Sequence, residues 1–285
     1  GTKIAVKEGC DIIIGLGGGS ALDSAKGIAV VASHGGNLWD YIGEGKVTDK
    51  TLPIVTIPTT AGTGSEATPV SVFTNKKNLR KDAIVSPYTF PKVAIVDPSL
   101  MKSMPSQLTA DTGFDALSHA VEAYLSINAS PFSDTLAMKA ISLINDSLVE
   151  ATKNGENLEA RGNMALASTL AGMAIAQAGV IAGHGLGMSI GGILDTPHGR
   201  TVGILLPYVM SYNLPEVPEK IAQLSGCFNL PATKDLMNDA RKVIETIKRM
   251  MKEINFPTQL RDIGVSEKDI PKIAEDCMDR PDITN

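Results

Sequence analysis

Cysteine is scarce in this chain: Cys10, Cys227 and Cys277 are scattered through 285 residues, with no C-x-x-C pair. An odd, dispersed set of this kind argues against a disulfide framework and a thiolate metal site, and it points to a reducing compartment, the cytoplasm. Excess positive charge is also missing. The formal net charge is −5, and no Lys/Arg cluster is interleaved with aromatics. Neither nucleic acid nor an anionic membrane surface is therefore an expected partner, and small molecules are. The opening GTKIAVKEGC has no initiator Met and no short apolar core of a signal peptide. It reads as the tail of a helix, so the chain is expected to begin inside a domain. From 162 to 194 there is no Asp, Glu, Lys or Arg. Such a stretch is long enough to span a bilayer. Glycines at 172, 179, 183, 185, 187, 191 and 192, with Gln177 and His184 among them, instead favour a buried helix followed by a glycine-rich bend.

What is present is enough apolar sequence for a real core. From Cys10 to Asp97, short apolar runs (CDIII, LPIVTIP, KVAIVDP) alternate with helix-like segments and Gly/Pro/Thr breakers. Buried strands alternating with helices imply a parallel α/β sheet. After DPSLMKSMP the strand signals stop, and helical periodicity runs from Leu108 to the end. The fold class is α/β plus all-α, with a boundary near 99–105.

In DIIIGLGGGSALDSAK an apolar strand runs into glycines and then a helix. Gly18 and Gly19 let backbone approach a ligand, Ser20 can cap the helix, and the helix N-terminus offers N–H groups to a pyrophosphate. A tight strand-to-helix turn without a ligand would use the same residues. Asp23, one turn in, could accept from a ribose or nicotinamide group or simply favour the helix dipole. The loop PTTAGTGSE at 58–66 also follows a strand, and loops at the C-terminal ends of parallel strands line the ligand crevice. Lys81 lies in a segment that reads as solvated surface.

Two of the four histidines fall in GHGLGMSIGGILDTPHG at 183–199. His184 sits at the bend, and His198 follows Pro197 at the start of the next helix. A third, His119, is four residues after Asp115 in DTGFDALSHAVEAYL, so carboxylate and imidazole share one helix face. If a turn brings them together, Asp115, His119, His184 and His198 form an O/N set suited to Fe(II) or Zn(II) and too nitrogen-rich for Mg or Ca. His34, beside Gly35 and Gly36, stays outside with a surface role.

Taken together, GGGSALDSAK, IPTTAGTGSE, PKVAIVDP, DTGFDALSHAVEAY and HGLGMSIGGILDTPHG resemble the iron-containing, group III alcohol dehydrogenase family over nearly the whole chain. The resemblance implies a Rossmann-like, parallel-sheet nucleotide-binding domain over 1–102, truncated at its N-terminus, and an all-helical metal-binding domain over 103–285. It implies metal ligation by Asp115, His119, His184 and His198, with Fe(II) expected and Zn(II) as the other candidate. It also implies pyrophosphate contact by Gly18 and Gly19 and cofactor contacts by Ser20, Asp23, Thr59, Thr60, Thr63 and Lys81. The implied activity is hydride transfer between a small primary alcohol or diol and NAD or NADP. The ion polarises the alcohol oxygen, and hydride goes to nicotinamide C4. A homo-oligomer is a further expectation, because the family often forms dimers or larger assemblies.

The sequence departs from the family pattern at three places. Relatives commonly carry a proton-handling His one turn after the third ligand, where this chain has Met188. HGRTVG replaces the usual H-G-x-A-N-A, leaving Arg200 either to read an anionic substrate or to sit on an exposed helix face. The family's first strand, with the acid that binds the adenosine ribose, is missing. Two rival readings follow: the glycerol dehydrogenase and dehydroquinate synthase branch, which the one-Asp, three-His set disfavours, and a non-catalytic nucleotide- and metal-binding protein. A thioether neither donates nor relays a proton at useful strength. Met188→His is thus expected to raise the rate of alcohol oxidation or shift its pH profile. No change in either would mean that the proton relay runs elsewhere.

Overall fold

The apolar run Ile13–Gly17 forms β1, and α2 (Gly19–His34) follows it directly. They come after a short helix, α1 (Thr2–Lys7). The chain's computed structural model describes residues 1–280 and 283. Strand β3 (Ile54–Pro58) pairs parallel with β1 on one side and with β6 (Val93–Ala94) on the other, giving the order β1-β3-β6. This is the expected parallel sheet, but only partly buried. Ala25 and Leu22 of α2 cover one face, while Ile14 and Leu16 point away and are each 60% exposed. A second sheet was not foreseen. Strand β5 (Arg80–Val85) pairs parallel with β2 (Gly43–Glu44) and antiparallel with β4 (Val70–Asn75). Its turn, KKNLRKD in sequence, is charged enough to read as surface. Leu79 there takes a left-handed φ of 56°. Lys81, expected in a solvated segment, is therefore a strand residue.

Helix α3 (Ser106–Leu125) opens the helical part, followed by α4 (Pro131–Lys153) and α5 (Leu158–Ala178). Residues 109–125 of α3 are buried except for Thr112, so this helix is enclosed on all sides. Alanines 116, 120, 137, 140, 167 and 171 are fully buried in its core cluster, and such small side chains let α3, α4 and α5 pack closely. Helices α6 (Ala182–Leu194), α7 (His198–Asn213), α8 (Pro218–Gln223), α9 (Leu236–Glu253) and α10 (Ile270–Met278) complete the array.

The charge-free stretch resolves into two helices. Gly179, at φ 71°, stops α5, and α6 leaves at 104° to it. Among the described residues no single helix is long and apolar enough to cross a membrane. The bend lies at 179–181, and the glycines after it are helical rather than part of the bend. A Cβ at Gly192 would stand 2.6 Å from the Leu79 carbonyl oxygen, so a glycine-lined α6 can lie against β5.

The loop after β3 is gripped from both parts of the chain. On the sheet side, Asp23 accepts hydrogen bonds from the Ser65 hydroxyl (2.7 Å) and the Val72 N–H (2.9 Å). The fully buried Lys26 ammonium donates to the Thr68 and Val70 carbonyls at 2.9 and 2.7 Å. On the helical side, Thr169 of α5 donates to Glu66 at 2.7 Å. Gly64, left-handed at φ 59°, lies so close to α5 that a Cβ on Gly172 would meet its carbonyl oxygen at 2.5 Å. Gly172→Ala is therefore expected to force these backbones apart and to destabilise the fold by about 1–3 kcal/mol. Urea unfolding measures this, and an unshifted midpoint would show that the loop is not pinned there.

Candidate active site and metal centre

Asp115 and His119 project from the same face of α3, as their four-residue spacing requires. The α5–α6 bend places His184 in the first turn of α6, and Pro197 starts α7 so that His198 is its first residue. Asp115 Oδ1 lies 3.8 Å from His184 Nε2 and 3.7 Å from His198 Nε2. One donor atom from each of Asp115, His184 and His198 lies within 4.8 Å of the others. His119 falls outside that set by the same measure. Its ring stacks on His184 with centroids 4.3 Å apart, and its Nδ1 faces the Gly62 carbonyl at 3.3 Å.

These separations are too long for hydrogen bonds and short enough for donors to share an ion. Asp115 Oδ1 and His184 Nε2 are buried without a hydrogen-bond partner. Orphaned polar atoms of this kind are costly unless something satisfies them. A carboxylate oxygen and imidazole nitrogens aimed at one point fit a borderline transition-metal ion.

The electrostatics favour positive charge at the same point. Burial acts to raise the Asp115 carboxyl pKa, but the facing His119, His184 and His198 outweigh it and hold it below the usual carboxylate range. Burial pulls His184 down, yet Glu122 and Asp115 on either side push it up to about 10. His119 and His198 remain neutral donors, lowered by burial to about 4 and about 3.

The metal-side residues share a cavity with the glycine turn. It has a volume of about 460 Å³; Gly18, Gly19, Ser20, Thr60 and Thr63 line one wall, and Asp115, Pro197 and His198 line the opposite one. Three expected cofactor residues lie elsewhere. The Thr59 N–H extends the β1–β3 ladder by donating to the Gly17 carbonyl at 2.9 Å. Asp23 accepts from Ser65 and Val72, one bond on each carboxylate oxygen, as described above, and so has a structural role in holding the loop. Lys81 points at α6, its Nζ only 2.8 Å from where a Gly191 Cβ would stand, and burial lowers its pKa against the pull of Asp195.

Two further readings are corrected. Ser20 does not cap α2; Gly18 is the N-cap, with no side-chain bond, and the Ser20 carbonyl accepts from the Ser24 hydroxyl. Arg200 does not lie loose on a helix face. Its guanidinium grips Asp111 of α3 through two bonds of 3.0 and 2.8 Å, tying the start of α7 to the helix that carries Asp115. Sequence reasoning also missed Glu122, which is 1% exposed and hydrogen-bonded to His184. Its signal was available: Asp115, His119 and Glu122 recur at helical spacing on one face of a helix otherwise apolar enough to be buried.

Residues 1–98 match the family described as iron-containing alcohol dehydrogenase, and residues 109–285 match the C-terminal part of the Fe-containing alcohol dehydrogenase family. The 1,3-propanediol dehydrogenase of Klebsiella pneumoniae is 45% identical over 276 residues, which cover 96% of this chain and 71% of that protein. The NAD-dependent methanol dehydrogenase of Bacillus methanolicus is 37% identical over 280 residues, covering 98% and 74%. A crystal structure of 1,3-propanediol oxidoreductase superposes with a TM-score of 0.95 at 43% identity, covering 99% of this chain and 74% of that one. The chain belongs to the iron-containing alcohol dehydrogenase family.

Proposed function

We propose that the chain is a metal-dependent alcohol dehydrogenase that moves hydride between a nicotinamide cofactor and a small primary alcohol or diol, working in the cytoplasm. The observation that carries this reading is the shared cavity, lined by the β1–α2 glycine turn and by Asp115 and His198 of the Asp115/His184/His198 cluster. Residues 1–102 act as the nucleotide-binding unit and 103–285 as the metal and catalytic unit. The three thiols, none in a disulfide, suit a reducing compartment.

Asp115, His184 and His198 would hold Fe(II), or Zn(II) in its place, and His119 would supply the fourth donor. When bound, the ion supplies a Lewis acid that polarises an alcohol or aldehyde oxygen. The chain's own groups do the rest. Backbone N–H groups of Gly18 and Gly19 at the start of α2 take the cofactor pyrophosphate, where a side chain would obstruct it. Thr60 and Thr63, on the same wall, offer hydroxyls to the cofactor, and Lys81 adds positive charge behind His198. The enclosing helices limit water around the reacting carbon, which strengthens each electrostatic contact there. Met188, half-buried four residues after His184, handles no proton, so the alcohol proton leaves by water or a cofactor hydroxyl.

Replacing His198 by Ala is expected to abolish both metal binding and alcohol oxidation. Metal content by atomic absorption and NADH formation with short alcohols measure the two. A variant that keeps full metal and full activity would defeat the assignment.

A further inference from the structure

Glu122 is a buried carboxylate on α3, and all the hydrogen bonds it accepts come from the start of α6. Its Oε2 accepts from the backbone N–H groups of Ile181 (2.8 Å) and His184 (3.2 Å). Its Oε1 accepts from His184 Nδ1 at 2.8 Å. Helix α6 has no side-chain cap of its own at Ile181, so a residue 59 positions earlier in the chain caps it. An acceptor at a helix N-terminus satisfies orphan N–H groups, and its negative charge suits the dipole. Gly183 lies against the same carboxylate, where any side chain would collide with Glu122.

The ring contact has a second consequence. A carboxylate can only accept, so once an ion takes the place of the second ring proton, the one that remains belongs on the Nδ1 that faces Glu122, and Nε2 turns its lone pair to the ion. That Nε2 is the buried, partnerless atom 3.8 Å from Asp115 Oδ1. Asp115, His119 and Glu122 thus stand along one face of α3, two facing the cluster and the third reaching behind it to hold His184 from the other side. Resting on the metal-site reading above, we propose that Glu122 is a positioning residue for the metal centre. It fixes both the place of α6 and the tautomer of His184, so that Nε2 is presented to the ion.

Glu122→Gln separates these two roles. The amide oxygen can still accept from the Ile181 and His184 N–H groups, but its NH₂ then faces the ring and moves the imidazole proton to Nε2. The variant is expected to keep a near-native thermal midpoint while binding Zn(II) about 10- to 100-fold more weakly, the usual effect of losing such an outer partner. Competition against a chromophoric chelator reads that affinity without relying on turnover. A folded Glu122→Gln protein with zinc affinity within twofold of the parent would overturn the proposal, leaving Glu122 as a helix cap only. The second measurement uses the parent protein itself. In zinc-loaded, ¹⁵N-histidine-labelled protein, His184 is expected to carry its proton on Nδ1 and to ligate through Nε2. The opposite assignment would overturn the proposal whether or not the variant folds. A parent protein that takes up no stoichiometric metal would defeat the metal-site reading and this one with it. Parent-level metal binding through His184 in the Gln variant would defeat this one alone.

Discussion

A carboxylate at the centre of a buried helix has to be compensated, and the helical part of this fold is organised around doing so for Asp115. An ionised group out of water costs several kcal/mol unless charge and hydrogen bonds are returned to it. Here the return comes from imidazoles on three elements: His119 one turn along α3, His184 at the start of α6 and His198 at the start of α7. His119 comes with the unbroken helix, and the other two arrive through a specific break in regular structure. The 104° turn between α5 and α6 delivers the second, and Pro197 delivers the third. Imidazole nitrogens gathered around a carboxylate can also bind a cation, so stability and metal affinity draw on the same geometry.

The opposite wall of the cleft depends on a different buried charge cluster. Lys26 is fully enclosed, and burial lowers its pKa to about 8 against the pull of Asp23 and Glu66. Between them, Asp23 and Lys26 hold the chain at Ser65, Thr68, Val70 and Val72, while Glu66 reaches across to Thr169. The Thr60–Thr63 segment that faces the cavity therefore hangs from a loop anchored to α2 on one side and α5 on the other. Sheet and helices are joined there by the Thr169–Glu66 hydrogen bond and by the Gly64–Gly172 contact, so the distance between the glycine turn and the metal cluster is set by packing rather than by a free linker.

Much of this was legible because it is local. The helical period of α3 put Asp115 beside His119, and the apolar-run-then-glycine pattern marked the β1–α2 turn. What was not legible is nonlocal or has an ambiguous local signature. Asp23 reads as a first-turn acid open to a ligand, and only the fold shows Ser65 and Val72 at its oxygens. Arg200 reads as surface because its partner, Asp111, is 89 positions away. The β4–β5 hairpin hides behind its charged turn, since a strand that is only partly buried need not be apolar. Glu122 reads as one more helix acid until α6 is placed across it.

The contact between α3 and α7 shows why the cluster cannot easily relax. Gly199 follows His198 directly, and a Cβ there would lie 3.0 Å from the Asp115 Cβ and clash with the Asp111 carbonyl oxygen. The two helices touch at the point where Asp115 and His198 emerge. Arg200 then fastens the contact with its fork on Asp111, so His198 has a neighbour that allows close approach and another that resists retreat. Preorganisation of this kind keeps the donor atoms in place before any ion arrives, which lowers the reorganisation that binding would otherwise require. Arg200 serves the same end as the glycine before it, by holding a neutral imidazole within reach of a carboxylate that the helix has already buried.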